Sequence, residues 1–152
     1  MGPRITARQP FKVVGMKYRG KNENEEIPQL WRDFWPRHGE IPARVAPALS
    51  YGVITNFDEE AGEFDYIAGV EVGNGAEPPA GMVAIELPGQ TYAVFDCTLP
   101  TLMETMSRIY QEWLPNSGYS RAQGPEYEFY DERFDPDRDR FEMSVCIPVV
   151  KQ

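Results

Sequence analysis

A chain of 152 residues with 41% hydrophobic and 26% charged content suits one globular domain, expected over 1–152, with a core of its own, and excludes a disordered segment. Twenty-four acidic residues against fifteen basic ones leave a net charge of −9, which repels phosphate backbones and anionic bilayer surfaces. With no apolar run near the roughly 18 residues of a membrane span and no apolar signal core after Met1-Gly2-Pro3-Arg4, the expectation is a cytoplasmic protein without direct nucleic-acid or membrane contact.

The first ten residues carry no pattern and are read as irregular. Phe11 to Tyr18 reads as a strand ending at Arg19-Gly20. Ile27, Leu30, Trp31, Phe34 and Trp35 then recur at the spacing of an amphipathic helix, with Asn24 as N-cap, acidic residues in the first turn and Pro36 at the end. Leu49 to Thr55 and Phe64 to Val72 follow as strands around a turn at Asp58 to Gly62. The segment Gly73 to Gly81, rich in Gly and Pro, separates this half from the next. Met82 to Leu87 and Gln90 to Cys97 are strands around Pro88-Gly89. Thr98 caps a second helix whose apolar stripe is Leu102, Met103, Met106, Ile109, Tyr110 and Trp113, with Pro115 and Gly118 beyond it. Glu126 to Asp131 and Phe141 to Val149 are the last strands. Both halves, about 10–72 and 82–150, therefore read β-α-β-β. The expected architecture is α+β, a tandem pseudo-twofold repeat forming an antiparallel sheet with two helices on one face and a ligand cleft between the halves.

Most catalytic and cofactor chemistries find no support. His38, the only histidine, lies just past a helix end, where a positive charge is welcome, and reads as a surface residue. One His and two separated Cys make no zinc set, and no metal or cofactor is expected. Cys97 and Cys146 read as small buried hydrophobes in a reducing compartment, although a bridge between facing strands stays open. The run Asp135 to Asp139 has acidic spacings of a calcium loop, but Arg140 replaces the glycine such a loop requires. Gly73-Asn74-Gly75 lacks the lysine of a phosphate loop.

Aromatic density and oddly placed carboxylates remain. In Pro125 to Asp131, strand alternation sends Tyr127 and Phe129 to one face and Glu126, Glu128 and Tyr130 to the other. On an open face those acids need no explanation. In an apolar cleft, a carboxylate would draw a cation that brings hydrophobic surface of its own, because neither charge then needs water.

Three motifs, Leu87 to Phe95, Trp113-Leu114-Pro115-Asn116-Ser117-Gly118-Tyr119 and Gly124-Pro125-Glu126-Tyr127-Glu128-Phe129-Tyr130, together with the duplicated pattern, resemble the GyrI-like small-molecule-binding family. Its members include the effector-binding domains of AraC-type and MerR-type bacterial regulators, and the resemblance runs over about residues 10 to 150. It implies a cleft for lipophilic, often cationic or aromatic, compounds with Glu128 facing the ligand, Tyr127 standing where a Phe is usual. The sequence holds no DNA-binding segment, so a stand-alone module is expected. Trp31, Trp35, Tyr51, Tyr92, Trp113 and Tyr130 are the candidate walls. A hydrolase of strained electrophiles is the rival reading, with Glu128 as general base and Tyr51 or Tyr130 holding the substrate. A protein-interaction module of gyrase-inhibitor type is the third, with no protein partner specified by the sequence.

Overall fold

A computed structural model describes residues 2–46 and 48–152. The elements run β1 (Arg4–Arg8), β2 (Phe11–Gly20), α1 (Glu26–Phe34), a 3-10 turn (Trp35–Glu40), β3 (Ser50–Asp58), β4 (Glu63–Val72), β5 (Val83–Leu87), β6 (Gln90–Thr98), α2 (Leu102–Arg108), β7 (Tyr119–Arg121), β8 (Glu126–Tyr130), β9 (Phe134–Asp135) and β10 (Arg140–Lys151). One antiparallel sheet has the order β1-β6-β10-β8-β3-β4-β2-β5, with β7 and β9 added along β10. The segments β2-α1-β3-β4 and β6-α2-β8-β10 repeat the same course, and β3 pairs with β8 at the seam.

The N-terminus is not irregular: Arg4 to Arg8 pairs with Val94 to Gln90 of β6. Its alternating, mostly exposed residues form an edge strand too polar to stand out in hydropathy. By sequence β1 adjoins β2, yet it completes the second half. Conversely β5 adjoins β6 but pairs with β2 of the first half. The halves thus exchange their edge strands, which the sequence repeat did not show.

This exchange curls the sheet. Gln9-Pro10 carries the chain from β1, at one end of the strand order, to β2 near the other, and Pro88-Gly89 carries it back from β5 to β6. Two residues bridge only about 10 Å, so the two ends of the sheet must approach. The links touch, since a Cβ on Gly89 would stand 3.1 Å from the Pro10 ring. The inner face, on which no helix of the described residues packs, is closed by this curl around Phe11, Val13, Tyr51, Val53, Leu87, Tyr92 and Tyr127. On the outer face α1 sits over Val14, Tyr66 and Val70, and α2 over Ala93, Val145 and Ile147.

Three local expectations need correction. Asn24 does not cap α1. Glu25, in the left-handed region at φ 59°, holds the N-cap position without a side-chain bond, and Asn22 Oδ1 accepts the Ile27 N–H at 3.0 Å instead. The second helix does not stop before Pro115. It continues through a π-helical segment, Ile109–Trp113, into a last turn, α3 (Leu114–Asn116). Met103 lies outside the stripe, 80% exposed. Thr98 caps a 3-10 turn, Leu99–Thr101, in a reciprocal arrangement with Thr101, and that turn leads into α2, whose own N-cap is Thr101.

Cys97 and Cys146 are free thiols. Cys97 faces Met143, whereas Cys146 faces Val94, a three-residue offset of about 10 Å that no disulfide spans. No helix among the described residues is long and apolar enough to cross a membrane.

The exchanged β1 is fastened by Asp96. Arg4 donates to it at 2.7 Å, Arg133 at 3.1 Å and the Ser144 hydroxyl at 2.8 Å. These bonds, that from Arg4 foremost, hold its carboxyl well below the usual carboxylate range. A depressed carboxylate contributes stability above its unfolded value, about 4, and loses it as pH falls through the folded value. Both Asp96 and Arg4 are about half exposed, which limits each pair to about 1 kcal/mol. Asp96→Asn is therefore expected to speed amide exchange in β1 while leaving the β6–β10 ladder protected. Unchanged β1 exchange would show the clasp to be idle.

Candidate functional site

The seam sets Ser50 opposite Tyr130, Gly52 opposite Glu128 and Ile54 opposite Glu126. Alternation along β8 turns Tyr127 into the inner core and Glu126, Glu128 and Tyr130 toward the helices, and their partners there agree.

Glu128 is 8% exposed. The Tyr66 hydroxyl donates to its Oε1 at 2.6 Å and the Tyr130 hydroxyl donates to the same oxygen at 2.8 Å. Trp31 on α1 donates its indole N–H to the Tyr66 hydroxyl at 2.9 Å, and its ring meets Tyr130 edge-on at 5.6 Å. The helix thus lies over the carboxylate. Burial pushes the Glu128 carboxyl up, the two hydroxyls pull it down, and neighbouring Glu126 pushes it up. Among the described residues no basic side chain shares in this balance. Burial likewise raises Tyr66 and Tyr130 well above the ordinary phenol, so both remain hydroxyl donors.

Glu126, two residues away under α2, is the contrast. It accepts from the Tyr110 hydroxyl at 2.6 Å and from Arg121 at 3.2 Å. Its countercharge is built in; that of Glu128 is not.

The predicted wall residues divide. Trp31 and Tyr130 are gathered at Glu128, and Trp35 backs Trp31 at 5.9 Å with 43% of its surface exposed. Tyr51 and Tyr92 are not gathered there, because β3 and β6 turn them to the inner face. Tyr51 bonds Arg8 at 3.2 Å and Glu71 at 3.1 Å, and burial pushes its hydroxyl up to about 12. Tyr92 packs against Tyr127 at 5.2 Å. Trp113, at the end of the π-helical segment that continues α2, packs between Phe95, at 5.1 Å, and Tyr119, at 6.2 Å. As partners of Glu128 in the hydrolase reading, Tyr51 is too placed on the wrong face, whereas Tyr130 is in contact. Sequence reasoning missed Tyr66 and Gly52. Alternation puts Tyr66 on the helix side, but nothing local says that its hydroxyl crosses β3 to reach β8.

His38 rests edge-on against Trp35 at 5.1 Å, and no group of three His, Cys, Asp or Glu among the described residues is placed to hold a metal. Hollows of about 290 Å³ beside Tyr110 and Tyr119 and about 420 Å³ beside Tyr18 and Leu30 do not reach Glu128.

A curled antiparallel sheet with two helices on one face is the architecture that this chain shares with effector-binding proteins. Residues 4–149 match Cass2, the integron-associated effector binding proteins, and the chain belongs to that family, as the resemblance to GyrI-like domains implied. Over 136 residues, 88% of the chain, it is 41% identical to the transcriptional regulator BrlR of Pseudomonas aeruginosa, and it spans 50% of that regulator's length. Among solved structures, SAV2435 bound to tetraphenylphosphonium superposes with a TM-score of 0.76 at 15% identity, over 99% of this chain and 94% of that one. The C-terminal domain of EcmrR gives 0.70 at 14% identity over 98% and 97%. The integron cassette protein VCH_CASS2 of Vibrio cholerae gives 0.67 at 21% over 99% and 97%. The fold is shared throughout.

Proposed function

We propose that this domain receives lipophilic, aromatic cations of more than one kind, with Glu128 as their charge partner. The observation that carries the reading is a buried carboxylate with two hydroxyls on one oxygen and, among the described residues, no basic neighbour. Two donors on Oε1 fix the group in orientation, and no side chain among the described residues donates to Oε2. A buried ionised carboxylate without a partner costs several kcal/mol. A cation whose charge is spread over apolar surface supplies that partner and restores little water. Trp31, Trp35, Tyr66 and Tyr130 offer ring faces, each cation–π contact contributing up to about 2 kcal/mol when desolvated. Such contacts ask for little geometric precision, which suits several ligands.

Trp31 covers Glu128 in the closed state, so entry requires α1 to shift. The tetraphenylphosphonium bound to SAV2435 is the kind of ligand this site would take. The cytoplasm, which keeps thiols such as Cys97 and Cys146 reduced, is the fitting compartment.

Because the cation and a proton compete for Glu128, and its carboxyl is raised by burial, affinity should climb about tenfold per pH unit below the folded value and level off above it. A neutral aromatic of similar size should show no such slope. Quenching of tryptophan fluorescence by tetraphenylphosphonium between pH 5 and 8 measures this. A flat profile with tight binding would remove Glu128 from the role. Consumption of a strained electrophile, abolished by Glu128→Gln, would favour the hydrolase reading instead.

A further inference from the structure

Gly52 lies in the interior of β3, a central strand, where glycine is less favourable than alanine. Its φ is not in the left-handed region, so backbone conformation does not call for glycine. Space does. A Cβ at this position would stand 2.1 Å from the Tyr66 hydroxyl oxygen and 2.6 Å from Glu128 Oε1, the two atoms that form the 2.6 Å bond of the site.

Gly20, at the end of β2, would bring a Cβ within 2.2 Å of the Tyr18 hydroxyl of its own strand, and the two other glycines in strand interiors make a different kind of room. Gly15 and Gly69 face each other on β2 and β4. A Cβ on Gly15 would meet the Ala68 carbonyl oxygen at 1.9 Å, and one on Gly69 the Val14 carbonyl oxygen at 2.5 Å. Those glycines make room for neighbouring backbone. At Gly52 the space is filled by functional side chains that arrive from strands on either side, Tyr66 from β4 and Glu128 from β8.

We infer that Gly52 is a positioning residue for the ligand charge site: the notch it leaves in β3 is where Tyr66 and Glu128 meet, and it fixes the carboxylate on the seam between the halves. The inference rests on the reading of Glu128 as charge partner. With a methyl group in the notch, the carboxylate is the part able to give way, as the far end of a flexible side chain. The Tyr66 ring, 1% exposed, is held by its packing. The carboxylate therefore leaves the Tyr66 hydroxyl and the cation loses its fixed partner, while the aromatic walls stay.

The test compares wild type, Gly52→Ala, Tyr66→Phe and the double variant, titrated with tetraphenylphosphonium and with a neutral aromatic of similar size, alongside thermal unfolding. Gly52→Ala is expected to weaken cation binding about tenfold or more and neutral binding by less than roughly threefold. Since the methyl and the missing hydroxyl break the same bond, the double variant should bind the cation no worse than Gly52→Ala alone. Equal losses for both ligands, wild-type cation affinity in Gly52→Ala, or additive losses in the double variant would each overturn the inference. If Gly52→Ala fails to fold, the double variant, which lacks the tightest clash, is measured in its place against Tyr66→Phe; failure of both to fold would make the notch a matter of packing alone and also overturn it. Should wild type itself bind no cation, the reading of Glu128 falls separately. The positioning claim is then decided by the Glu128 carboxyl titration followed by carbon-13 NMR, where Gly52→Ala must shift the midpoint and an unmoved midpoint counts against it.

Discussion

Replacing Glu128 by glutamine is expected to lower affinity for a permanent lipophilic cation by an order of magnitude or more, about 1.4 kcal/mol, and at the same time to raise the thermal stability of the unliganded protein at neutral pH. Glutamine keeps an oxygen that can accept from Tyr66 and Tyr130 and removes only the charge. The carboxyl is raised in the folded state, burial being the main cause. A raised group contributes stability that is complete below its unfolded value and lost as pH rises through its folded value. At neutral pH wild type therefore stands on the unfavourable side of that titration, and glutamine does not titrate. For a domain of this length each kcal/mol regained moves the unfolding midpoint by about 2–4 °C. The gain should vanish at acidic pH, where Glu128 is protonated. Calorimetry at two pH values and one dye titration check all three statements. A variant less stable at pH 7 than wild type, with cation affinity intact, would make Glu128 a structural residue.

Phe34→Ala should have the largest effect on stability. Phe34 ends α1, is fully buried and packs edge-on against Trp31 at 5.9 Å; a truncation of this kind costs about 3–5 kcal/mol, or roughly 6–20 °C in the unfolding midpoint. It anchors the helix, whereas Trp31 covers the carboxylate. If α1 is the element that shifts to admit a ligand, loosening the anchor also lowers the cost of opening. Cation affinity measured well below the new midpoint should then be retained or improved. A loss of affinity parallel to the loss of stability would mean that α1 is a fixed wall and that entry takes another route.

The sequence carried the repeat well, because each half is written in strong periodicities: the 3.6-residue stripe of Ile27, Leu30, Trp31 and Phe34, and the alternation of Glu126 to Tyr130. Those patterns report which side of its own element a residue occupies, and for Glu128 that side was read correctly. They do not report which side of the sheet another strand's residue shares. Tyr51 and Tyr92 are as aromatic as Tyr66 and Tyr130, but the sheet order, absent from the sequence, puts the first pair on the inner face and the second at the carboxylate. Gly52 was invisible for a related reason, since a glycine in a strand announces an absence without saying what fills it. β1 was missed because an edge strand with solvent on one side needs little hydrophobicity, and its partner lies far along the chain.

That distance has its own meaning for how the molecule is made. Arg4 meets Asp96 across 92 residues of sequence, and β5 must return to β2 before the first half has its own edge. Neither half can finish its sheet from its own residues. On the ribosome the N-terminal segment therefore waits without its partner until the second half emerges, and the seam that carries Glu128 closes only when nearly the whole domain has been synthesised. A truncated chain should leave no half-formed receptor to bind a ligand, only an open sheet edge for quality control to find.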